Sequence, residues 1–346
     1  MSKDDKNFIS KFVLVWLFLI SLFTFKVPAR SSDQGLAQNQ EERGDGRAQV
    51  IFPFQNRGDN QDEIKKAEDL KRGVFLSADF KAKSIFVSDL SGKKVIFEKD
   101  SMAKRPLASV TKLLTALLAK ERVPDNFFIP ISKRAIFEDN DDGFIAGDRF
   151  RRDDLISYML VASSNDAAYA LAEYVSDPVG DAGVGVSGFV SLMNERGLEL
   201  GMFNSDFSNP NGLDMNLGDL GKFSGADGSA FDVGLLFSYI YERYPDLLSS
   251  TRDRQIVIRS DTGRKISGFN TNRALGSIPQ LIGAKTGYTD LAGGNLAFIF
   301  DAGFGRPVLV VILGSTEEGR FEDAKKITDA ILKYYQSEVA KVENGN

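Results

Sequence analysis

The order in which strand and helix patterns follow one another is the feature that most constrains the fold of this chain. Two short β-rich runs on either side of 89–92 predict a hairpin, and helical patterns, a group of strand patterns and a closing helix follow. The helices are predicted over 109–120, 152–161, 166–174, 189–200, 230–244 and 321–335, and the strands over 83–88, 94–98, 255–259, 280–285, 295–300 and 308–313. Segregated elements favour an antiparallel sheet flanked by helices. The predicted fold class is therefore α/β, of the α+β type, with an all-helical insert around residues 120–250.

Composition divides the chain into four regions. Residues 1–29 contain an apolar segment, 30–72 are rich in Gln, Asn, Asp, Glu, Gly and Arg, 73–338 have a globular composition, and 339–346 form a short tail. A stretch as polar as 30–72 buries too little apolar surface to offset the entropy of ordering, so we interpret it as a linker. The globular region is long enough to bury a full hydrophobic core.

The apolar and uncharged run at residues 12–25 (FVLVWLFLISLFTF) follows three lysines near the N-terminus. It is short for a membrane span, which needs ~20 residues, and it suits the hydrophobic part of a secretion signal. The preceding lysines favour a cytoplasmic N-terminus, so we expect the rest of the chain outside the cytoplasm. A cleaved signal and a retained membrane anchor both fit this segment. The weak cleavage site at residues 26–30 favours the anchor.

Two absences from the composition restrict the chemistry. The chain has no histidine, which excludes Ser-His-Asp and Cys-His hydrolases and histidine-ligated zinc sites. It also has no cysteine, which excludes thiol catalysis, disulfides and iron–sulfur centres. The 43 basic and 48 acidic residues give a net charge of −5, without the basic surface of a nucleic-acid-binding protein. If the chain is an enzyme, its acid–base chemistry depends on Lys, Asp, Glu or Tyr.

A serine hydrolase without histidine can use lysine as its base, and the corresponding tetrapeptide S-x-x-K begins at Ser91, Ser101 and Ser109. Only Ser109 stands at the start of a predicted helix, with Lys112 one turn further on the same face. As a purely structural residue, Ser109 would be the N-cap of this helix. A lysine in the first turn is disfavoured as a cation by the helix dipole, and burial lowers its pKa further. This motif therefore provides a candidate nucleophile and base.

Two further motifs follow in the chain. Ser163-Ser164-Asn165 lies between two predicted helices, and Lys285-Thr286-Gly287 ends a predicted strand. Taken singly, the first could be a helix N-cap and the second a turn. The ordered set S-x-x-K, S-x-N and K-T-G is much more specific, because it is the set found in penicillin-binding proteins and class A β-lactamases.

The chain resembles the D-alanyl-D-alanine carboxypeptidases, the serine-type low-molecular-mass penicillin-binding proteins. Besides the three motifs, the resemblance is carried by segments 106–113, 162–168, 209–213, 270–272 and 285–293. It implies that residues 73–338 form a DD-peptidase-type catalytic domain of sheet and helices, with the active site in the cleft between two lobes. The implied substrate is the stem peptide of peptidoglycan, from which the terminal D-alanine is removed through an acyl-enzyme.

The resemblance implies three catalytic residues. Ser109 corresponds to the acylated nucleophile and Lys112 to its base. Ser163 corresponds to the residue that bridges the two lysines and relays a proton to the leaving D-alanine.

The resemblance also implies a set of substrate-binding residues, namely Asn165, Lys285, Thr286, Gly287 and Tyr288. The asparagine holds the substrate amide, the lysine supplies positive charge and the threonine binds the terminal carboxylate. The oxyanion hole consists of the backbone N–H groups of Ser109 and Tyr288.

The same resemblance implies no cofactor and no metal, and it implies that β-lactam antibiotics act as covalent inhibitors. We expect no nucleic-acid partner, and membrane contact through the N-terminal segment. Where the family often has an arginine beside the substrate carboxylate, this chain has Thr271, with Arg273 two residues further on. The acidic run at residues 138–143 is interpreted as a solvated loop rather than a calcium loop, because Arg149 stands at the twelfth position.

Three alternatives to a carboxypeptidase remain from the sequence. A DD-endopeptidase that cuts cross-links has the same motifs. A class A β-lactamase needs a deacylating glutamate in an E-x-x-L-N setting, which neither Glu195 nor Glu199 has. A catalytically silent wall-binding module is disfavoured because all the motif residues are intact.

Overall fold

A computed structural model describes residues 75, 79–138, 142–178, 185–303 and 305–344. The strands are β1 (Ser84–Asp89), β2 (Lys94–Lys99), β3 (Arg105–Pro106), β4 (Phe128–Pro130), β5 (Arg149–Arg151), β6 (Asp206–Phe207), β7 (Met215–Asn216), β8 (Lys222–Phe223), β9 (Ala226–Gly228), β10 (Gln255–Arg259), β11 (Lys265–Phe269), β12 (Leu281–Thr289), β13 (Gly293–Asp301) and β14 (Pro307–Ser315). The helices are α1 (Lys112–Arg122), α2 (Arg152–Ala162), α3 (Asn165–Ser176), α4 (Ser187–Glu199), α5 (Ala230–Arg243), α6 (Asp246–Ser249) and α7 (Gly319–Asn344). The predicted N-terminal segment and linker lie outside the described residues.

The central sheet has five strands in the order β12-β13-β14-β1-β2, and every neighbouring pair is antiparallel. Alternate residues of a strand point to opposite faces of a sheet. In β14, Val308 and Val310 accordingly pack into a core with α7, whereas Leu309 and Val311 pack into a larger core with the other helices. The sheet thus separates two hydrophobic cores, which confirms the predicted α+β fold class.

Helix α1 runs through the larger core. Every residue from Leu113 to Ala119 is buried, so the helix contacts other elements on all sides. Helices α2, α3 and α5 pack against it. A helix that is surrounded in this way fixes its first turn rigidly, and that turn carries Lys112.

The insert between α1 and the later strands is less purely helical than expected. It also contains the antiparallel pairs β4–β5 and β7–β8, and strand β9 pairs with both β3 and β6. These strands are two or three residues long. Alternation of apolar and polar residues cannot reveal strands this short.

Strand β11 was absent from the sequence prediction. It pairs with β10 in a two-stranded sheet that packs against α2. The strand contains Gly268, where an added Cβ would lie 2.6 Å from the Cβ of Ala162. The close approach of β11 to α2 requires this glycine, and the glycine in turn weakens the strand pattern in the sequence.

The closing helix α7 extends to Asn344, past the predicted end at residue 335. Among the helices of the described ranges, none is both long and apolar enough to span a membrane.

Asp323 joins α7 to the sheet. Its carboxylate is fully buried and accepts hydrogen bonds from the backbone N–H groups of Lys81 (3.1 Å) and Ala82 (2.8 Å), and from the hydroxyl of Ser315 (2.8 Å). The segment that enters β1 and the end of β14 therefore depend on one side chain.

We predict that Asp323→Ala lowers the free energy of unfolding by about 3 kcal/mol, because it leaves the buried N–H of Ala82 and the buried hydroxyl of Ser315 without their acceptor. The expected fall in Tm is roughly 6–12 °C, measured by calorimetry or circular dichroism. Glu322→Ala is the control, since that side chain is exposed and pairs with Lys81 at the surface, and it should leave the transition nearly unchanged. Equal losses from both variants would contradict this account of Asp323.

Candidate active site

Ser109 lies in a tight turn that precedes α1. The turn spans Ala108–Thr111, and the N-cap of α1 is Thr111, so Ser109 does not cap the helix. Ala108 has a φ of +49°, a conformation that costs a residue with a side chain about 1–3 kcal/mol. Such strain persists only where the surrounding structure imposes it.

Asn295 and Gly212 impose the conformation of this turn. The side chain of Asn295, on β13, is buried and donates hydrogen bonds to the carbonyl oxygens of Pro106 (2.9 Å) and Leu107 (3.0 Å). Gly212 lies so close that an added Cβ would be 2.0 Å from the carbonyl oxygen of Ala108. The Ser109 turn is therefore clamped between the central sheet and the loop that contains Gly212.

Lys112 is fully buried beneath Ser109. Its Nζ lies 2.7 Å from Ser109 Oγ, 2.7 Å from Asn165 Oδ1 and 3.1 Å from the carbonyl oxygen of Asn211. Burial lowers the pKa of Lys112 to about 7, against the opposing influence of nearby carboxylates. At neutral pH a substantial fraction of Lys112 is therefore the free amine, which can accept a proton from the serine hydroxyl.

Ser163 ends α2 in a left-handed conformation, with φ +62° and ψ +28°. The turn brings its Oγ to 2.8 Å from Nζ of Lys285, which projects from β12. The adjacent Ser164 is the N-cap of α3 and accepts a hydrogen bond from the N–H of Ala167 at 3.0 Å. Ser164 therefore caps α3, whereas Ser163 contacts a buried lysine.

Lys285 is also fully buried, and its Nζ donates to the carbonyl oxygen of Thr286 at 2.9 Å. Burial, together with the positive charges of Lys112 and Arg320, lowers the pKa of Lys285 well below its usual value. The arrangement consists of two serine–lysine pairs in one cleft, built from α1, the α2–α3 junction and β12.

Gly287 places the edge of β12 beside Ser109. A Cβ at this position would lie 2.9 Å from the carbonyl oxygen of Leu107 and 3.1 Å from the backbone nitrogen of Ser109. The next residue, Tyr288, is 46% exposed at the rim. Only a glycine lets the strand approach the turn this closely, so the backbone of β12 lies directly beside that of Ser109.

Thr286 contacts Thr271, the residue that stands where the family often has an arginine. Its Oγ1 lies 2.6 Å from Oγ1 of Thr271. Arg273 instead pairs at the surface with Glu317 and Glu318, and its side chain is 63% exposed. The two threonine hydroxyls therefore stand together, while the nearby arginine is engaged elsewhere.

Arg320 is a site residue that the sequence did not reveal. It lies in the first turn of α7 and is 5% exposed. Its Nη1 donates to the carbonyl oxygen of Gly287 at 2.6 Å, and the guanidinium faces the ring of Tyr288 at 5.9 Å. No motif points to it, because its position depends on how α7 packs behind the sheet. It places a buried positive charge behind β12.

In the acidic run at 138–143, the carboxylates of Glu138 and Asp142 form hydrogen bonds, while residues 139–141 lie outside the described residues. Glu138 accepts a hydrogen bond from Asn211 Nδ2 at 3.0 Å, and Asp142 accepts one from the hydroxyl of Ser164. Both carboxylates therefore contact residues that border the site. Within the described ranges no group of three or more acidic side chains is placed to hold a metal ion.

Solved structures with the same fold are penicillin-binding proteins and DD-peptidases. Penicillin-binding protein D2 from Listeria monocytogenes, in its ampicillin-bound form, has a TM-score of 0.59 at 26% identity, over 73% of this chain and 98% of that protein. The D-alanyl-D-alanine carboxypeptidase from Mycobacterium tuberculosis H37Rv has a TM-score of 0.63 at 25% identity, over 73% of this chain and 91% of that one.

The sequence profile of the D-alanyl-D-alanine carboxypeptidase family matches residues 72–317, so the chain belongs to this family, as its motifs predicted. The carboxypeptidase DacF of Bacillus subtilis is 28% identical over 262 residues, which cover 74% of this chain and 63% of that relative. The chain thus spans less than two thirds of the length of this relative.

Proposed function

We propose that this protein is a serine-type D-alanyl-D-alanine carboxypeptidase that removes the terminal D-alanine from peptidoglycan pentapeptides. The observation that carries the proposal is the pair of contacts between Ser109 and buried Lys112 (2.7 Å) and between Ser163 and buried Lys285 (2.8 Å). This geometry supplies a nucleophile, a base and a second proton carrier without histidine. Membership of the family supports the same reaction and substrate class.

Acylation begins when Ser109 Oγ attacks the carbonyl carbon of the penultimate D-alanine and Lys112 takes the hydroxyl proton. The oxyanion that forms is stabilised by the N–H groups of Ser109 and Tyr288, since β12 lies against the Ser109 turn. The C–N bond then breaks, and the amine of the terminal D-alanine receives a proton through Ser163. Water later attacks the ester, with the same lysine as base, and releases the shortened peptide.

The terminal carboxylate of the substrate binds at the outer end of β12. Thr286 donates its hydroxyl, Arg320 supplies positive charge from behind the strand, and Lys285 adds to that charge in its protonated form. Asn165 holds the substrate amide on the opposite side of the cleft, where its Oδ1 also contacts Lys112. The substrate amide and the terminal carboxylate are thereby held on opposite sides of Ser109.

A labelled penicillin should attach covalently to Ser109, because the β-lactam amide has the geometry of the D-alanyl-D-alanine amide. Ser109→Ala should abolish labelling in a folded protein, as seen by gel fluorescence and peptide mass spectrometry. Ser91→Ala is the matched control from another S-x-x-K tetrapeptide and should label normally. Label that persists on Ser109→Ala would refute the assignment of the nucleophile.

The rate of acylation should rise with pH through neutrality, because the free amine of Lys112 is the active form and its pKa is about 7. Lys112→Arg should be nearly as inactive as Lys112→Ala, since a guanidinium keeps its proton throughout this range. We would measure the second-order rate constant for penicillin acylation between pH 5 and 10. Near-normal acylation of Lys112→Arg at pH 7 would show that another group takes the proton.

We further propose that the catalytic domain comprises residues 73–338 and acts outside the cytoplasm, held at the membrane by the apolar segment 12–25. The support is the apolar run and the weak cleavage site that follows it. The full chain expressed in bacteria should fractionate with membranes and keep its N-terminus. A mature protein whose N-terminal sequence begins near Arg30 would contradict this anchor.

A further inference from the structure

Two carboxylates that the mechanism does not use lie on the loop between α1 and α2. Glu138 accepts a hydrogen bond from Asn211 Nδ2 (3.0 Å), and Asp142 accepts one from the hydroxyl of Ser164. Ser164 immediately precedes Asn165, and Asn211 is itself a partner of Lys112. Glu138 therefore acts on a residue that contacts the proposed base, and Asp142 acts on the neighbour of another.

The side chain of Asn211 forms hydrogen bonds through both of its polar atoms. It is 2% exposed, its Nδ2 donates to Glu138, and its Oδ1 accepts from the N–H of Leu213 at 3.1 Å. The preceding residue, Pro210, accepts a hydrogen bond at 2.6 Å from the hydroxyl of Thr115, on α1. These hydrogen bonds fix the carbonyl oxygen of Asn211 at 3.1 Å from Lys112 Nζ. Glu138 contributes to this by holding the side chain of Asn211.

Among the described residues, the atoms that directly surround Lys112 Nζ are uncharged. They are Ser109 Oγ, Asn165 Oδ1 and the carbonyl oxygen of Asn211. A buried ammonium loses its hydration, and neutral hydrogen-bond partners compensate poorly for that loss. More distant charges therefore have a large influence on the pKa of the lysine.

The charged groups around Lys112 come from three elements. Lys285 lies on β12, with Arg320 behind it, and burial together with the charges of Lys112 and Arg320 lowers the pKa of Lys285 well below its usual value. Glu138 and Asp142, on the α1–α2 loop, are negative and raise the pKa of Lys112 against the larger effect of burial.

Other titratable groups surround the two carboxylates. Tyr169 lies under the guanidinium of Arg134. Burial raises the pKa of Tyr169 and of Tyr158, with smaller contributions from Glu138 and Asp142 respectively, so both tyrosines remain neutral at the pH of interest.

Building on the proposed function, we propose that Glu138 is a positioning residue for acylation: its carboxylate fixes Asn211 beneath Lys112 and places a negative charge near this lysine. Asp142 contributes charge of the same sign from the side of Ser164. Without these carboxylates, the buried amine would lose its proton at lower pH and be a weaker base.

Glu138→Gln separates the two parts of this role. The glutamine keeps an oxygen that can accept from Asn211 Nδ2 but removes the charge, whereas Glu138→Ala removes both. The ascending limb of the pH–acylation profile should therefore move to lower pH by about half a unit to one unit in Glu138→Gln. Glu138→Ala should show the same shift together with a several-fold lower plateau rate.

The control is Glu195→Gln, which removes one negative charge from an exposed position on α4. Its profile should coincide with that of the unaltered protein. Asp142→Asn should shift the limb in the same direction as Glu138→Gln. An unshifted limb in Glu138→Gln, with the limb of the unaltered protein clearly resolved, would overturn the proposal.

A second measurement does not depend on activity. The ε-carbon resonance of Lys112 in protein labelled with ¹³C-lysine is identified by its loss in Lys112→Arg, and its titration midpoint is compared between the unaltered protein and Glu138→Gln. A lower midpoint in the variant supports the proposal even if neither protein is acylated by penicillin, a result that would refute only the proposed enzymatic function. Equal midpoints would overturn the role of Glu138 whatever the activity.

Discussion

The structure of the site depends on the burial of two lysines in one cleft. Taking an ammonium out of water costs on the order of several kcal/mol, and two like charges close together raise that cost. Neither Lys112 nor Lys285 forms an ion pair among the contacts of the described residues. This cost falls when a lysine loses its proton. The burial that disfavours the ammonium form therefore also lowers the lysine pKa and supplies a neutral amine that can act as a base. The same constraint explains why the hydrogen-bond partners of both lysines are hydroxyl, amide and carbonyl oxygens.

The surrounding elements prevent the two lysines from moving toward solvent. A buried lysine would reach water if α1 or β12 could shift, and both elements are fixed from several sides. Asn295 ties the Ser109 turn to β13, and Arg320 ties Gly287 of β12 to α7. Asp323 in turn ties α7 to β14 and to the start of β1. Stability in the sheet and geometry at the serine are therefore connected through a few buried polar side chains.

The sequence was sufficient for the fold class and for the convergence of the three motifs, for identifiable physical reasons. The long elements carry clear periodicity, and the absence of histidine left lysine as the base to search for. Residues with no local pattern were missed. Arg320 and Asn295 become site residues only because distant segments pack together, and no spacing along the chain encodes that. Asn211 lies in segment 209–213, which carries the resemblance, but the sequence assigned it no role.

Tertiary contacts override local preference at two places beside the site. Ser109 resembles an N-cap in the sequence, yet α1 begins at Lys112, since the strained turn at Ala108 is clamped by Gly212. The acidic run near Glu138 resembles a solvated loop, yet its ends face Asn211 and Ser164.

The distribution of charge around the cleft also explains the direction in which the proposed substrate binds. A positive charge lies behind β12, in Arg320, whereas the carboxylates of Glu138 and Asp142 lie on the other side, beyond Asn211 and Ser164. In the proposed function, a peptide that ends in a carboxylate therefore binds with that end toward β12. The hydroxyls of Thr271 and Thr286 share one hydrogen bond between them, so one of their two protons remains free for an incoming oxygen. Because this pair carries no charge of its own, the proposed recognition of the carboxylate depends on the charge of Arg320, and that charge adds to burial in lowering the pKa of Lys285. Substrate orientation and proton transfer are in this way set by one arrangement of charges.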